Sequence, residues 1–308
     1  METAVINLLW HPQAQFAGYL AAEHRDLGLT GGVRIKTTPI EFGTGPVKSV
    51  LTGESHFGVA SPAHILETAP EDLCLLLIFQ QDSPLVYPVR RDSGIGALSD
   101  LVGRRVAVWP GGEDLELRWM LSRAGVDPEA VDRVPTEDTV QPFVDGAVAS
   151  AQLTLYNELY EVEEAGLRRE QLRLFAPSEF DAALIKDGLI CRRALAAERP
   201  AFVQAVVDAV MAGWAWALQN AREAVEICMA SWPDLARERQ EMQLADIRAL
   251  TFVGATSRHG IGYPDPVHVD RAARALADLG ESAAAVGRED IVDDRFWSAA
   301  PESSKIRA

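Results

Sequence analysis

The sequence predicts an α/β protein of two lobes, clad by a helical C-terminal part. Short β-rich runs alternate with helical patterns as far as Phe79, and a second series of the same kind follows an extended VYPVRR stretch. From Arg199 onward the pattern is nearly all helical. Strands separated by crossover helices imply a parallel or mixed sheet with helices on both faces.

The first series begins with the strand AVINLL (Ala4–Leu9) and a helix over Gln15–Leu27. VRIKTTPI from Val33 is the second strand, followed by a helix near Pro46–Leu51. HFGVA from His56, a helix from Pro62 and the apolar LCLLLIF from Leu73 complete the set. The second series runs RVAVW from Arg105, a helix over Leu115–Ala124, VDRVP from Val131 and a helix near Thr139–Val144. It ends with AQLTLY from Ala151, a helix to Gly166 and LRLFA from Leu172, and GLICRR from Gly188 returns the chain to the first lobe. The segment AFVQAVVDAVMAGWAWALQN places apolar residues at helical spacing. GATSRHGIGYPDP, rich in Gly and Pro, reads as a loop before a helix over Val267–Leu279. These series place lobe 1 at residues 1–87 and 188–308 and lobe 2 at 88–187, with crossings near 86–92 and 182–190.

At 308 residues each lobe can bury its own core without metal or disulfide staples. Lys and Arg number 29 against 45 Asp and Glu, a formal charge of -16 that opposes phosphate backbones and anionic lipid. Nucleic acid is therefore not an expected partner. No run approaches the roughly 18 apolar residues of a membrane span, so direct membrane insertion is not expected either. Cys74, Cys191 and Cys228 form no C-x-x-C pair, which indicates neither a zinc site nor a disulfide framework. Cys74 and Cys191 lie in apolar runs, where a cysteine behaves as a small buried hydrophobe.

WHPQAQFAGY (Trp10–Tyr19) resembles the opening signature of the THI5/NMT1-like family, in which a first strand ends in a Trp and a Pro before a helix. Family-like pieces follow in order: FGTGP from Phe42, HFGVASP from His56, FQQDSP from Phe79, LVGRRVAVW from Leu101, YNELY from Tyr156 and GWAWALQN from Gly213. The resemblance implies a type II periplasmic-binding-protein fold, two α/β lobes with a ligand cleft between them. It also implies a solute-binding protein of an ABC importer, with a permease as partner and a small heteroaromatic ligand such as a thiamine-precursor pyrimidine. The alternative is a cytoplasmic enzyme of the same family. The compartment follows the choice: periplasmic or extracellular with a signal removed, or cytoplasmic with a native Met1.

In open α/β sheets, ligands bind outside the carboxyl ends of the strands, where loops enter helix N-termini. That rule selects Trp10, His11, Gln13, Gln15 and Phe16 after the first strand, Gly43 and Thr44 after the second, and Ser61 after the third. Gln80 and Asp82 follow the fourth; Trp109, Gly111 and Gly112 follow the first strand of lobe 2, and Tyr156, Asn157 and Glu158 a later one. Trp10 and Trp109 occupy equivalent strand ends and would stack on a flat π-ligand, although each could instead anchor a helix. In WPGGED the glycines permit a tight turn or a close approach to ligand, while Glu113 or Asp114 could simply cap the following helix. Glu158 could accept from an exocyclic amine, or be a solvated helix-start residue.

His64 resembles in position the histidine that the family's yeast-type pyrimidine synthases consume, and here reads as a ligand-edge or packing residue. However, Ala60 stands where those enzymes have the lysine that holds pyridoxal phosphate, and KDGLIC replaces the cysteine tract before the returning strand. A desulfinase of similar fold has a nucleophilic cysteine after its first strand, where this chain has His11, Gln13 and Gln15. No catalytic residue, metal ligand or cofactor is therefore assigned.

Overall fold

A computed structural model describes residues 1–41, 43–281 and 291–307. Phe42, which opens the FGTGP piece, lies outside the described residues. The strands are β1 (Glu2–Asn7), β2 (Val33–Thr38), β3 (Phe57–Ala60), β4 (Leu73–Ile78), β5 (Leu85–Arg90), β6 (Arg105–Val108), β7 (Asp132–Pro135), β8 (Ser150–Ala151), β9 (Leu153–Thr154), β10 (Leu172–Phe175) and β11 (Gly188–Arg192). The helices are α1 (Ala17–His24), α2 (Gly45–Thr52), α3 (Pro62–Thr68), α4 (Leu115–Arg123), α5 (Val140–Val144), α6 (Glu158–Glu164) and α7 (Arg193–Glu198). They continue with α8 (Pro200–Gln219), α9 (Ala221–Ser231), α10 (Arg237–Thr251), α11 (Thr256–His259), α12 (Val267–Asp278) and α13 (Arg295–Ala299).

The chain separates into two compact units. The first holds Met1–Gln81, Ile185–Ala272 and the described residues from 291 on; the second holds Asp82–Leu184 and residues 273–281.

In the first unit five strands form one sheet in the order β2-β1-β3-β11-β4. β1 is parallel to β2 and β3, whereas β11 runs antiparallel to both β3 and β4. β2 alternates buried Val33 and Ile35 with exposed Arg34 and Lys36, the pattern of an edge strand whose charges discourage further pairing. β4 is buried at every position, as its unbroken apolar run requires. α8 is long and apolar enough to cross a membrane by length and composition, yet most of it is buried within the protein, which makes it a core helix. It crosses α1 where Gly18 and Gly213 face each other: a Cβ on Gly213 would overlap the Gly18 carbonyl oxygen and lie 2.9 Å from the Ala22 nitrogen. Beside this crossing Trp214 stacks on Phe79, with ring centroids 4.7 Å apart, and Tyr19 meets both rings edge-on.

The second unit carries β7-β6-β8, all parallel, and β10-β5-β9, all antiparallel. β8 and β9 are successive parts of AQLTLY, which the sequence reads as one strand and which is interrupted at Gln152. Joined through that segment, the strands follow the order β7-β6-β8/β9-β5-β10, which like the first unit has one antiparallel strand in the fourth place, here the first of the unit in the chain rather than the last. Phe143, Leu153, Leu159, Val162 and Leu172 fill its core. Trp119, almost wholly buried, donates from Nε1 to Asp278 at 2.9 Å, and Arg118 pairs with Glu281, so the residues from 273 on close this core.

Two further local expectations change. The first helix stops at His24, where Asp26 turns left-handed at φ 50° and the Leu27 nitrogen closes back on the Ala22 carbonyl. The GATSRHGIGYPDP loop contains the one-turn α11, ended by Gly260 at φ 100°.

Candidate functional site

β11 enters its sheet at the edge where β3 and β4 end, because it runs against them: Gly188 pairs with both Ala60 and Ile78. The residue before it, Asp187, therefore shares the carboxyl edge with Ser61 and Gln80. Asp187 is 5% exposed. Its Oδ2 accepts from Gln15 Nε2 at 2.8 Å and from Gln80 Nε2 at 2.7 Å, while Gln13 Nε2 donates to Gln15 Oε1 at 2.9 Å. A carboxylate is thus held by two buried amides and backed by a third. Gln80 Oε1 is buried with no hydrogen-bond partner, an acceptor left over once its amide nitrogen is committed. Burial, then the charge of Asp187, push the Tyr19 phenol well above its usual range.

The loop after β1 is fixed from a distant helix. Gln240 Oε1 on α10 accepts from the Ala14 nitrogen at 2.7 Å, and Gln243 Oε1 accepts from the Gln15 nitrogen at 3.1 Å. Both glutamines are fully buried, with Gln243 Nε2 unpaired. Trp10 is 40% exposed, so it does not anchor a helix in the core. His11 meets Trp10 edge-on at 5.4 Å and stacks on Trp232 at 4.6 Å, giving an aromatic row.

The other positions on this edge have mainly local tasks. Phe16 is fully buried core. Ser61 caps α3, its Oγ accepting from the His64 nitrogen at 3.1 Å, and His64 itself is half-buried. Gly43 is exposed with φ 90°, which a glycine tolerates at no cost, and Thr44 precedes α2 without a side-chain cap.

On the second unit, Trp109 is half-buried at the end of β6, and its nitrogen donates to Gln152 Oε1 at 3.2 Å. Gln152 Nε2 donates to the Glu113 carbonyl at 2.8 Å, so this buried amide pins the WPGGED turn from inside. Gly111 and Gly112 have φ 82° and 86°, and a Cβ on either would meet nothing, so the backbone turn is what requires them. Asp114 stands at the N-cap of α4 without a side-chain cap bond; it pairs instead with Arg118 at 3.3 Å and Arg133 at 3.0 Å. Tyr156 is buried. Glu158 is engaged locally: Oε1 accepts from Asn157 Nδ2 at 3.0 Å, and Oε2 accepts from the Thr154 nitrogen and hydroxyl. Asp82 accepts from the Ser83 nitrogen at 2.8 Å.

The family model described as NMT1/THI5 like matches residues 13–224. The chain belongs to the NMT1/THI5-like family. No curated protein matches it in sequence. Among solved structures, this NMT1/THI5-like chain resembles the periplasmic aliphatic sulphonate binding protein SsuA from Escherichia coli, at 14% identity and TM-score 0.70 over 96% of this chain and 92% of that one. It also resembles the zinc-bound ligand binding component of an ABC-type import system from Staphylococcus aureus, at 9% identity and TM-score 0.71 over 98% and 99%. A third is a mutant of DSZB in complex with biphenyl-2-sulfinic acid, at 16% identity and TM-score 0.60 over 96% and 98%. The NMT1/THI5-like protein thus has the type II periplasmic-binding-protein fold, and in each unit an antiparallel strand takes the fourth place.

Within the first unit the fold brings together Gln13, Gln15 and Gln80 of the residues selected by sequence, and adds Asp187, Trp232, Gln240 and Gln243; within the second it adds Gln152 beneath the WPGGED turn. Asp187 had a visible signal, a charged residue opening the apolar GLIC run at a chain crossing. The added glutamines gave no sequence signal.

Proposed function

We propose that this protein is the ligand-binding component of an ABC-type importer, working outside the cytoplasm with a permease, and that it holds a small flat heteroaromatic molecule bearing N–H donors. A thiamine-precursor pyrimidine is the first candidate. The observation that carries the ligand class is Asp187, a buried carboxylate on the carboxyl edge with Gln15 and Gln80. A carboxylate there favours a ligand that donates hydrogen bonds, and opposes the anionic sulfonate or sulfinate of the structural neighbours. The spare Gln80 carbonyl adds a second acceptor, and exposed Trp10 adds a π-face on the same edge. Asp187 takes over the orienting role that the sequence gave to Glu158, whose oxygens serve its own strand end.

An enzymatic alternative working through a cysteine needs a thiol at this edge. Cys74 and Cys191 lie toward the other end of their strands and Cys228 lies in α9, all three fully buried.

The test is native mass spectrometry of the purified protein for a co-purifying small molecule, followed by calorimetry with an aminopyrimidine and an alkanesulfonate. Binding of the aminopyrimidine with no sulfonate signal is expected. Binding of the sulfonate alone would overturn the ligand class.

A further inference from the structure

Cys74 and Cys191 are 117 positions apart in sequence and neighbours in space. They are directly opposed residues of the antiparallel pair β4 and β11. Their sulfurs lie 3.6 Å apart, in contact but not bonded, and both side chains are fully buried. Opposed residues of an antiparallel ladder have Cα atoms about 4.5–5.5 Å apart, within the roughly 4.4–6.8 Å that a disulfide spans. Bringing the sulfurs to bonding distance requires each to move by less than about 1 Å, which side-chain rotation supplies without shifting the strands.

We propose that Cys74 and Cys191 form a cross-strand disulfide when the chain folds in an oxidising environment. The reaction is thiol–disulfide exchange with a small disulfide such as oxidised glutathione. One cysteine thiolate attacks a glutathione sulfur and releases glutathione thiolate; the second cysteine attacks the mixed disulfide and releases another. The two protein thiols lose two protons and two electrons, and the glutathione disulfide becomes two thiols.

The bond forms before the sheet is complete. In the folded protein the contact with Cys74, together with burial, holds the Cys191 thiol well above its usual range, so little thiolate exists to react. The same burial protects the bond afterwards. The pair sits at the start of β4 and near the end of β11, whereas Gln80 and Asp187 stand beyond the opposite ends of those strands, so the staple leaves the candidate site untouched. Cys228, in α9 and raised to about 12 by burial, stays a thiol.

The test is to unfold the full chain under reducing conditions and refold it with reduced and oxidised glutathione, then alkylate under denaturing conditions and map peptides. Expected are a single alkylated cysteine, Cys228, and a linked peptide pair containing Cys74 and Cys191. The oxidised protein should melt roughly 4–10 °C higher than the reduced one. Three alkylated cysteines after refolding, or a linkage through Cys228, would overturn the proposal. Cys228→Ser should keep the bond and Cys74→Ser should abolish it. If Cys74→Ser does not fold, the wild-type peptide map and Cys228→Ser still decide.

Discussion

Trp10 and Asp187 share one sheet edge but do different work. Replacing exposed Trp10 by Ala removes a stacking surface worth about 0.5–1.5 kcal/mol beyond its buried area, so affinity for the co-purified ligand should fall more than tenfold. The unliganded melting temperature should barely move, because the side chain is not in the core. A stability loss with an intact ligand-induced shift would assign Trp10 to packing instead. Asp187→Asn keeps an oxygen for the Gln15 and Gln80 amides but gives up the charge, so an amine-bearing ligand should bind roughly 10–100-fold more weakly by calorimetry. His268 donates from Nε2 to Gln81 Oε1 at 3.1 Å, and Gln81 in turn donates to the Ile78 and Tyr263 carbonyls. Burial lowers its pKa to about 4 from the ordinary 6.5, so the neutral form is favoured in the folded protein. The resulting stability is present above pH 6.5 and is lost as pH falls from there towards 4, by at most about 3 kcal/mol. Urea unfolding at pH 7 and pH 5 should show a smaller loss in His268→Gln than in the wild type.

At the scale of elements, the α1–α8 crossing leaves no room for a side chain. Gly213→Ala places a methyl group against backbone atoms of α1, which cannot rotate away as a flexible side chain would. A loss of about 1–3 kcal/mol or more is expected by thermal melting, and a neutral result would mean that the helices separate there at little cost. Gly213 opens the family-like GWAWALQN piece, and this contact gives a physical reason for a glycine at that position. Strands and helices were legible in the sequence because their apolar periodicities are local, from the fully apolar β4 to the alternating β2. The carboxyl-edge rule likewise reached Gln13, Gln15 and Gln80 from local order alone. Pairings across long stretches of chain left no such trace. Asp187 meets Gln15 from 172 positions away, and Cys74 meets Cys191 from 117, distances that no window of residues can relate.

For the molecule as a whole, the two units depend on different parts of the C-terminal region. The first takes α8 to α11 into its core, while Asp278 and Glu281 serve Trp119 and Arg118 of the second. Asp278→Ala should therefore speed hydrogen exchange in α4, by roughly tenfold for each 1.4 kcal/mol lost, and leave β1, β3 and β4 unchanged. Equal acceleration in both units would show that they open together. The anchoring of the Ala14 and Gln15 nitrogens by Gln240 and Gln243 spans 226 and 228 positions. On the ribosome the loop that carries Trp10, Gln13 and Gln15 emerges long before α10. Its shape is completed only once α10 has followed, so a nascent chain would have its first strands long before it could hold a ligand.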